Sequence, residues 1–324
     1  MQIFTNPRFD FIKWRWHAIG LSFVVIIAGI VNIVTKGLPL GIDFAGGTNV
    51  IVKFEQPVGE EQVRSAIAPV ATESVVQQYG NPEDREILIK LPQTQTAEEG
   101  ASLEEGARQI VGALQKAGLP AFEVISTEIV GPVIGADLQR KGIYATIASI
   151  VGITIYIALR FRPSFAIGAI AATLHDVFVT VAFLTFFGYE ISLNIVAAIL
   201  TITGYSVNDT IVIFDRVREN LRGMRKEPLE YVVNLSVNQT LSRTVITAGT
   251  TFLSVMSLYL FGGEVLEGFA FTMLVGIASG TYSTVFIAAA IAILLSERKR
   301  RATAAVSAGT TARSARKGGR ARAS

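Results

Sequence analysis

Two carboxylates stand where carboxylates are costly. Asp176 lies in the apolar stretch Pro163 to Phe187, whose only other polar interruption of note is His175, and Asp209 is the single charge in Ile191 to Ile213. Each stretch is long enough to cross the hydrocarbon of a bilayer, which takes about 20 residues. A charged group there costs several kcal/mol unless it is paired or neutral, so each aspartate is a candidate functional group. Asp209 sits in Gly204-Tyr205-Ser206-Val207-Asn208-Asp209-Thr210. Asn208 and Thr210 flank it, and Tyr205 and Ser206 lie one turn before; all can stabilise a charge or guide a water chain. Arg243 heads a stripe at helical spacing through Thr247, Thr250 or Thr251, Ser254 and Ser257. Lipid cannot satisfy such a face, so it must turn toward other helices or water. Asp209 and Arg243 fall at similar depth, near one boundary of the membrane, and can pair; the guanidinium stays charged and offers a planar fork of donors. An adjacent cation favours the ionised carboxylate and burial favours the neutral acid, so a site where the two nearly cancel binds and releases a proton as its geometry changes. Three readings stay open on spacing alone: proton exchange, a static bridge between two helices, and an arginine that snorkels to the headgroups. His175 and Asp176 are neighbours in sequence, and adjacent helical positions point about 100° apart, which predicts that they do not pair tightly with each other. Either both line the proton route or they make helix-packing hydrogen bonds.

Other chemistries are excluded by what the sequence lacks. There is no cysteine, hence no disulfide and no thiolate ligand or nucleophile, and the two histidines, His17 and His175, are far apart. A zinc or haem site is not expected. Gly41-Ile42-Asp43-Phe44-Ala45-Gly46-Gly47-Thr48 looks like a phosphate cradle, but no Lys-Ser/Thr follows the glycines, so no nucleotide is expected. An aspartyl protease needs two carboxylates sharing a proton and, in its intramembrane form, Gly-x-Gly-Asp; here Tyr205-Ser206-Val207-Asn208 precedes the aspartate. The chain is expected to carry no enzymatic activity, cofactor or metal.

The elements that would hold these groups follow from hydropathy. Half of the 324 residues are apolar and 17% are charged, below the roughly 25% of soluble proteins. Six stretches are long enough to span: His17 to Thr35, Gly142 to Leu159, Pro163 to Phe187, Ile191 to Ile213, Thr244 to Gly262 and Gly268 to Ser296. The first has no small-residue cleavage site and reads as a retained helix, not a signal peptide. Segments 1–16, 160–162, 214–243 and 297–324 hold 20 of the 29 Lys and Arg residues, while the short turns 188–190 and 263–267 hold none. The positive-inside rule then predicts both termini in the cytoplasm and segment 36–141 outside. That segment reads as strand, helix, two strands around Gly80-Asn81-Pro82, helix, strand: the ferredoxin-like βαββαβ order. Gly41, Asp43, Gly46 and Gly47 make a tight connection from the first helix into it, and Gly131 and Pro132 the matching return. The fold expected is a polytopic α-helical membrane protein: cytoplasmic N-terminus and first helix (1–35), an extracytoplasmic α/β domain (36–141), five further transmembrane helices (142–296), and a disordered basic cytoplasmic tail (297–324) whose simplest role is an inside anchor.

Five motifs carry a resemblance: Gly41–Thr48 (GIDFAGGT), Leu174–Val177 (LHDV), Gly204–Asn220 (GYSVNDTIVIFDRVREN), Asn238–Thr244 (NQTLSRT) and Gly280–Ser283 (GTYS). Along roughly residues 1–300 the chain resembles the bacterial SecF family. The resemblance implies a partner, SecD, with which SecF makes a twelve-helix bundle similar to RND-superfamily transporters in the cell inner membrane. It further implies association with the SecYEG channel and YajC, and use of the proton gradient to draw preproteins outward after SecA. The aspartate and arginine matching Asp209 and Arg243 are implied to be required for proton movement, and SecD is implied to be a separate chain. Competing expectations are an RND-type half-transporter exporting a lipid or drug, and a purely structural scaffold of the translocon.

Overall fold

The computed structural model describes residues 7–71, 74–80, 83–92 and 101–298. The expected basic tail beyond 298, the turn residues Asn81 and Pro82, and the expected starts of a strand at Glu73 and a helix at Ala97 lie outside the described residues.

The first apolar stretch forms α1 (Arg15–Lys36), which stops at Gly37, where φ is +80°. A four-residue helix, α2 (Ile42–Ala45), leads into β1 (Gly47–Phe54), then α3 (Glu60–Ile67), β2 (Val75–Tyr79), β3 (Glu86–Pro92), α4 (Ala101–Lys116) and β4 (Phe122–Val130). The sheet order is β2-β3-β1-β4 with every neighbouring pair antiparallel, so the two β-α-β halves interleave. Alternation on β1 sends Val50, Val52 and Phe54 inward, where they bury against Val63 and Ile67 of α3 and Ile110 and Leu114 of α4. Gly47 has φ +137°, and a Cβ there would stand 2.5 Å from the Leu91 carbonyl oxygen, so only glycine lets β1 start beside β3.

Five long helices follow: α5 (Pro132–Arg160), α6 (Pro163–Phe187), α7 (Leu193–Gly223), α8 (Leu229–Phe261) and α9 (Glu264–Ser283). The last runs through a π turn at Thr284–Ala288 and continues as helix to Arg298. With α1 these make six helices long and apolar enough to cross a membrane. Proline at the first position opens α5 and α6, where its missing N–H costs nothing. Three helices are longer than their apolar stretches: α5 starts directly after Gly131, and α7 and α8 extend as a helical hairpin through most of 214–243. Hydropathy marks only the part in hydrocarbon. The extensions are held by further apolar contacts, with Val217, Val232 and Val233 fully buried.

Helices α6, α7 and α9 form the centre of the bundle, with α1, α5 and α8 around them. At the α7–α9 crossing a Cβ on Gly276 would sit 2.2 Å from Ile202 Cδ1, so glycine sets the approach distance. The N-terminal segment lies across the start of α8: Asn234 and Asn238 grip the Phe9 carbonyl oxygen (3.0 and 2.8 Å), and their side-chain oxygens accept from Phe11 and Phe9 N–H. The sheet domain is seated on the α6–α7 and α8–α9 turns. Gly41 N–H donates to the Ile191 carbonyl (2.9 Å), Ile191 N–H to that of Pro39 (2.7 Å), and Lys90 pairs with Glu190. The Gly80 N–H bonds the Glu264 carboxylate. Gly131 alone separates β4 from α5.

Candidate functional site inside the helix bundle

Asp176 is 1% exposed and stands on α6 where α7 and α9 cross it. Three serine hydroxyls donate to its carboxylate: Ser206 from α7 (2.5 Å), and Ser279 (2.7 Å) and Ser283 (2.8 Å) from α9. The fourth contact is His175 Nδ1, 3.1 Å from Asp176 Oδ1. This corrects the expectation that neighbouring positions on a helix keep these two apart. Azimuth fixes where Cβ points, not where a side chain ends; both chains fold toward α9, the imidazole stacking on the Tyr282 ring at 6.2 Å. The other imidazole nitrogen, Nε2, is buried without a partner among the described residues. His175 also lines a mostly apolar cavity of about 430 Å³ with Leu21, Val25 and Phe183.

Asp209, one turn along α7 from Ser206, is 5% exposed. Its neighbours in sequence diverge. Thr210 turns to α9, its hydroxyl 3.0 Å from that of Thr284, which donates to the Gly280 carbonyl within the helix (2.8 Å). Asn208 faces outward and is exposed. Asp209 and Arg243, which the sequence allows to pair, do not close an ion pair here: among the described residues none within 4 Å holds either side chain. Arg243 acts on Asp209 through its field alone, from an exposed position on α8. Asp209 is packed between helices, and the arginine belongs to a stripe that the described helices leave largely open. Thr247 is half-buried, while Thr250, Ser254 and Ser257 are exposed. The threonine hydroxyls and that of Ser254 donate to carbonyls one turn back, so the stripe satisfies itself only in part and keeps acceptor capacity outward.

The connector residues meet at the opposite end of the bundle, under the sheet domain. Asp43 Oδ2 accepts the Leu193 N–H (2.9 Å), adding to the Ser192 cap on α7. Gly46 takes φ +75° at the end of α2, and Gly131 and Pro132 open α5. The structure thus ties Gly41 and Asp43 to the α6–α7 turn, leaves Gly46 at the end of α2 and Gly47 beside β3, and brings none of them to the aspartates. The residues that sequence reasoning missed are Ser279, Ser283 and Thr284. A signal for them existed: Gly268, Thr272, Gly276, Gly280 and Thr284 recur every fourth position, the small-residue stripe of a close helix contact. The π turn begins at Thr284, beside both polar links, and such turns concentrate at functional positions.

Comparison with known proteins now bears on this arrangement. Residues 110–298 match the family described as "Protein export membrane protein SecD/SecF, C-terminal", and residues 31–58 match the "SecD/SecF GG Motif", which contains the connector glycines. The protein translocase subunit SecF of Rhodothermus marinus is 43% identical over 316 residues, 94% of this chain and 100% of its own. The corresponding subunit of Escherichia coli O157:H7 is 37% identical over 90% of this chain and 89% of its own. The chain belongs to the SecF family. Its fold is also that of part of SecDF: the crystal structure of SecDF from Thermus thermophilus, a translocon-associated membrane protein, superposes with a TM-score of 0.80 at 34% identity over 90% of this chain. The super-membrane-facing form of SecDF gives 0.70 at 33% identity over 94%. The chain spans about two fifths of those SecDF chains, 39% and 41%.

Proposed function

We propose that this chain is the SecF half of a SecDF-type assembly that assists protein translocation, and that Asp209 is its proton-exchanging group. One observation carries the second part: a carboxyl 5% exposed within a membrane-spanning helix, without an ion-pair partner among the described residues, in the field of an arginine one helix away. A carboxyl locked in a bidentate bridge would resist protonation; this one is free to exchange, and a small helix movement that closes or opens the gap to Arg243 alters its proton affinity. One charge crossing 100 mV releases about 2.3 kcal/mol, so a few protons suffice to bias a conformational equilibrium of a few kcal/mol. The uncovered stripe of α8 and the exposed Asn208 are the faces that a SecD bundle would cover, placing Arg243 in a shared polar interface. In this reading the chain lies in the bacterial inner membrane with both termini cytoplasmic. SecYEG and YajC are the neighbouring partners, preproteins the load, and no step is enzymatic.

The test is proton flux and preprotein export in vesicles holding this chain with SecD. Asp209→Asn and Arg243→Ala are each expected to abolish the proton-dependent part of export while leaving the assembly intact. Full proton-dependent export by Asp209→Asn would refute the proposal.

A further inference from the structure

At the basic end of the bundle the structure holds a concavity of about 790 Å³, walled by the α5–α6 turn, the last two turns of α7 and the segment leading to α8. We propose that it is a binding site for the headgroup of an acidic phospholipid. Four arginines line it without an ion-pair partner among the described residues: Arg162, Arg218, Arg222 and Arg225. The fifth, Arg160, is committed to Asp215 through two contacts of 2.6 and 2.8 Å. Glu227 is the single acid in the lining. The positive-inside rule asks only for a count of basic residues on one side; it does not ask them to converge on one hollow. Their convergence is unfavourable by itself: Arg218 and Arg222 stand one turn apart on the same helix, where like charges repel. An anion seated among them reverses the sign, and guanidinium forks match phosphate oxygens in pairs.

The floor says which anion. Phe165 and Phe214 meet edge to face at 5.1 Å, with Leu221 and Leu229 beside them, so the hollow is apolar beneath a cationic rim. Free phosphate would use the rim alone; a glycerophospholipid would use both. The level is also right: Arg160 ends one spanning helix and Pro163 begins the next, which is headgroup depth. Basic pockets between helices at this depth suit anionic lipids, and four free guanidiniums favour a headgroup with two phosphates over one. The site would tie the α5–α6 turn to the α7–α8 hairpin through the lipid. It goes beyond the proton reading and does not depend on it.

The experiment uses the full chain, purified in a neutral detergent and titrated with phosphatidylglycerol, diphosphatidylglycerol or phosphatidylcholine, with retained lipid counted by native mass spectrometry. The expected result is retention in the order diphosphatidylglycerol, phosphatidylglycerol, phosphatidylcholine. The variant R218Q/R222Q/R225Q should lose tenfold or more of the preference, and K13Q/R216Q/K226Q, of equal charge change at the same end, should keep it. Equal losses in both variants, or none in the first, overturn the site. Thermal unfolding of the unmodified chain gives a second reading that needs no variant. A rise in Tm with the acidic lipids supports the proposal. An equal rise with inorganic phosphate, or with an RNA oligonucleotide in place of lipid, overturns it.

Discussion

The carboxyl group of Asp176 accepts from three serine hydroxyls and lies against His175 Nδ1, and its two oxygens offer about four lone-pair positions. Ser279→Ala or Ser283→Ala removes one hydroxyl and leaves a buried carboxyl oxygen short of a partner, at a cost of about 1–3 kcal/mol. The expected outcome is a lower Tm in detergent for either variant, and a larger drop for Asp176→Asn, whose amide presents N–H groups to hydroxyls that already donate. The two aspartates were legible in the sequence because the expense of a membrane carboxylate makes it conspicuous. The cage around Asp176 was not, because serine hydroxyls on an apolar helix cost little and raise no alarm. The His175 contact was misread for a related reason: helical azimuth describes backbone directions, and a long side chain can bend across them.

At the level of elements, the α7–α9 contact depends on the absence of side chains. Gly276→Ala forces a methyl group onto Ile202, and overpacking of this kind costs roughly 1–3 kcal/mol. Gly249→Ala, with nothing within 4 Å, is the control and is expected to be neutral or to stabilise by up to about 1 kcal/mol. Unfolding of both variants in the same detergent reads the difference. Because the α7–α9 contact also aims Ser206 at Asp176, Gly276→Ala should further loosen that hydrogen bond even where the chain remains folded. The six spanning helices could be counted from hydropathy, and the order of strands in the outer domain from turn residues. Their ends could not: nothing apolar announces that α7 and α8 run on beyond the hydrocarbon, and the π turn at Thr284 has no composition of its own.

For the molecule as a whole, the decisive relation is the seating of the sheet domain on the bundle, a long-range pairing that no local pattern encodes. Lys90 with Glu190 and Gly80 with Glu264 hold it. Reversal of one charge, Glu190→Lys, is expected to speed hydrogen exchange of the β2 and β3 amides, and Lys90→Glu in the same chain to restore protection. The seat also has an alkaline limit. Burial, and after it the charges of Glu264, Glu128, Glu86 and Glu267, push the Tyr79 phenol above its ordinary value near 10. Its folded pKa exceeds the unfolded one, so its contribution is complete below about pH 10 and disappears as pH climbs through the raised value. Phenolate absorbance should show a late-titrating component that shrinks by one tyrosine in Tyr79→Phe, the half-buried Tyr189 phenol beside Glu267 remaining in it, and that variant should lose part of the domain's alkaline sensitivity. A last consequence lies in the junction at Gly131. A strand that passes into a 29-residue helix with one residue between has no slack to absorb rotation. Such a helix is a lever about 44 Å long, and a swing of roughly 10° at its inner end would carry the sheet about 8 Å sideways. Sub-ångström repacking deep among the bundle helices can therefore arrive at the sheet as a stroke comparable to two residues of extended polypeptide.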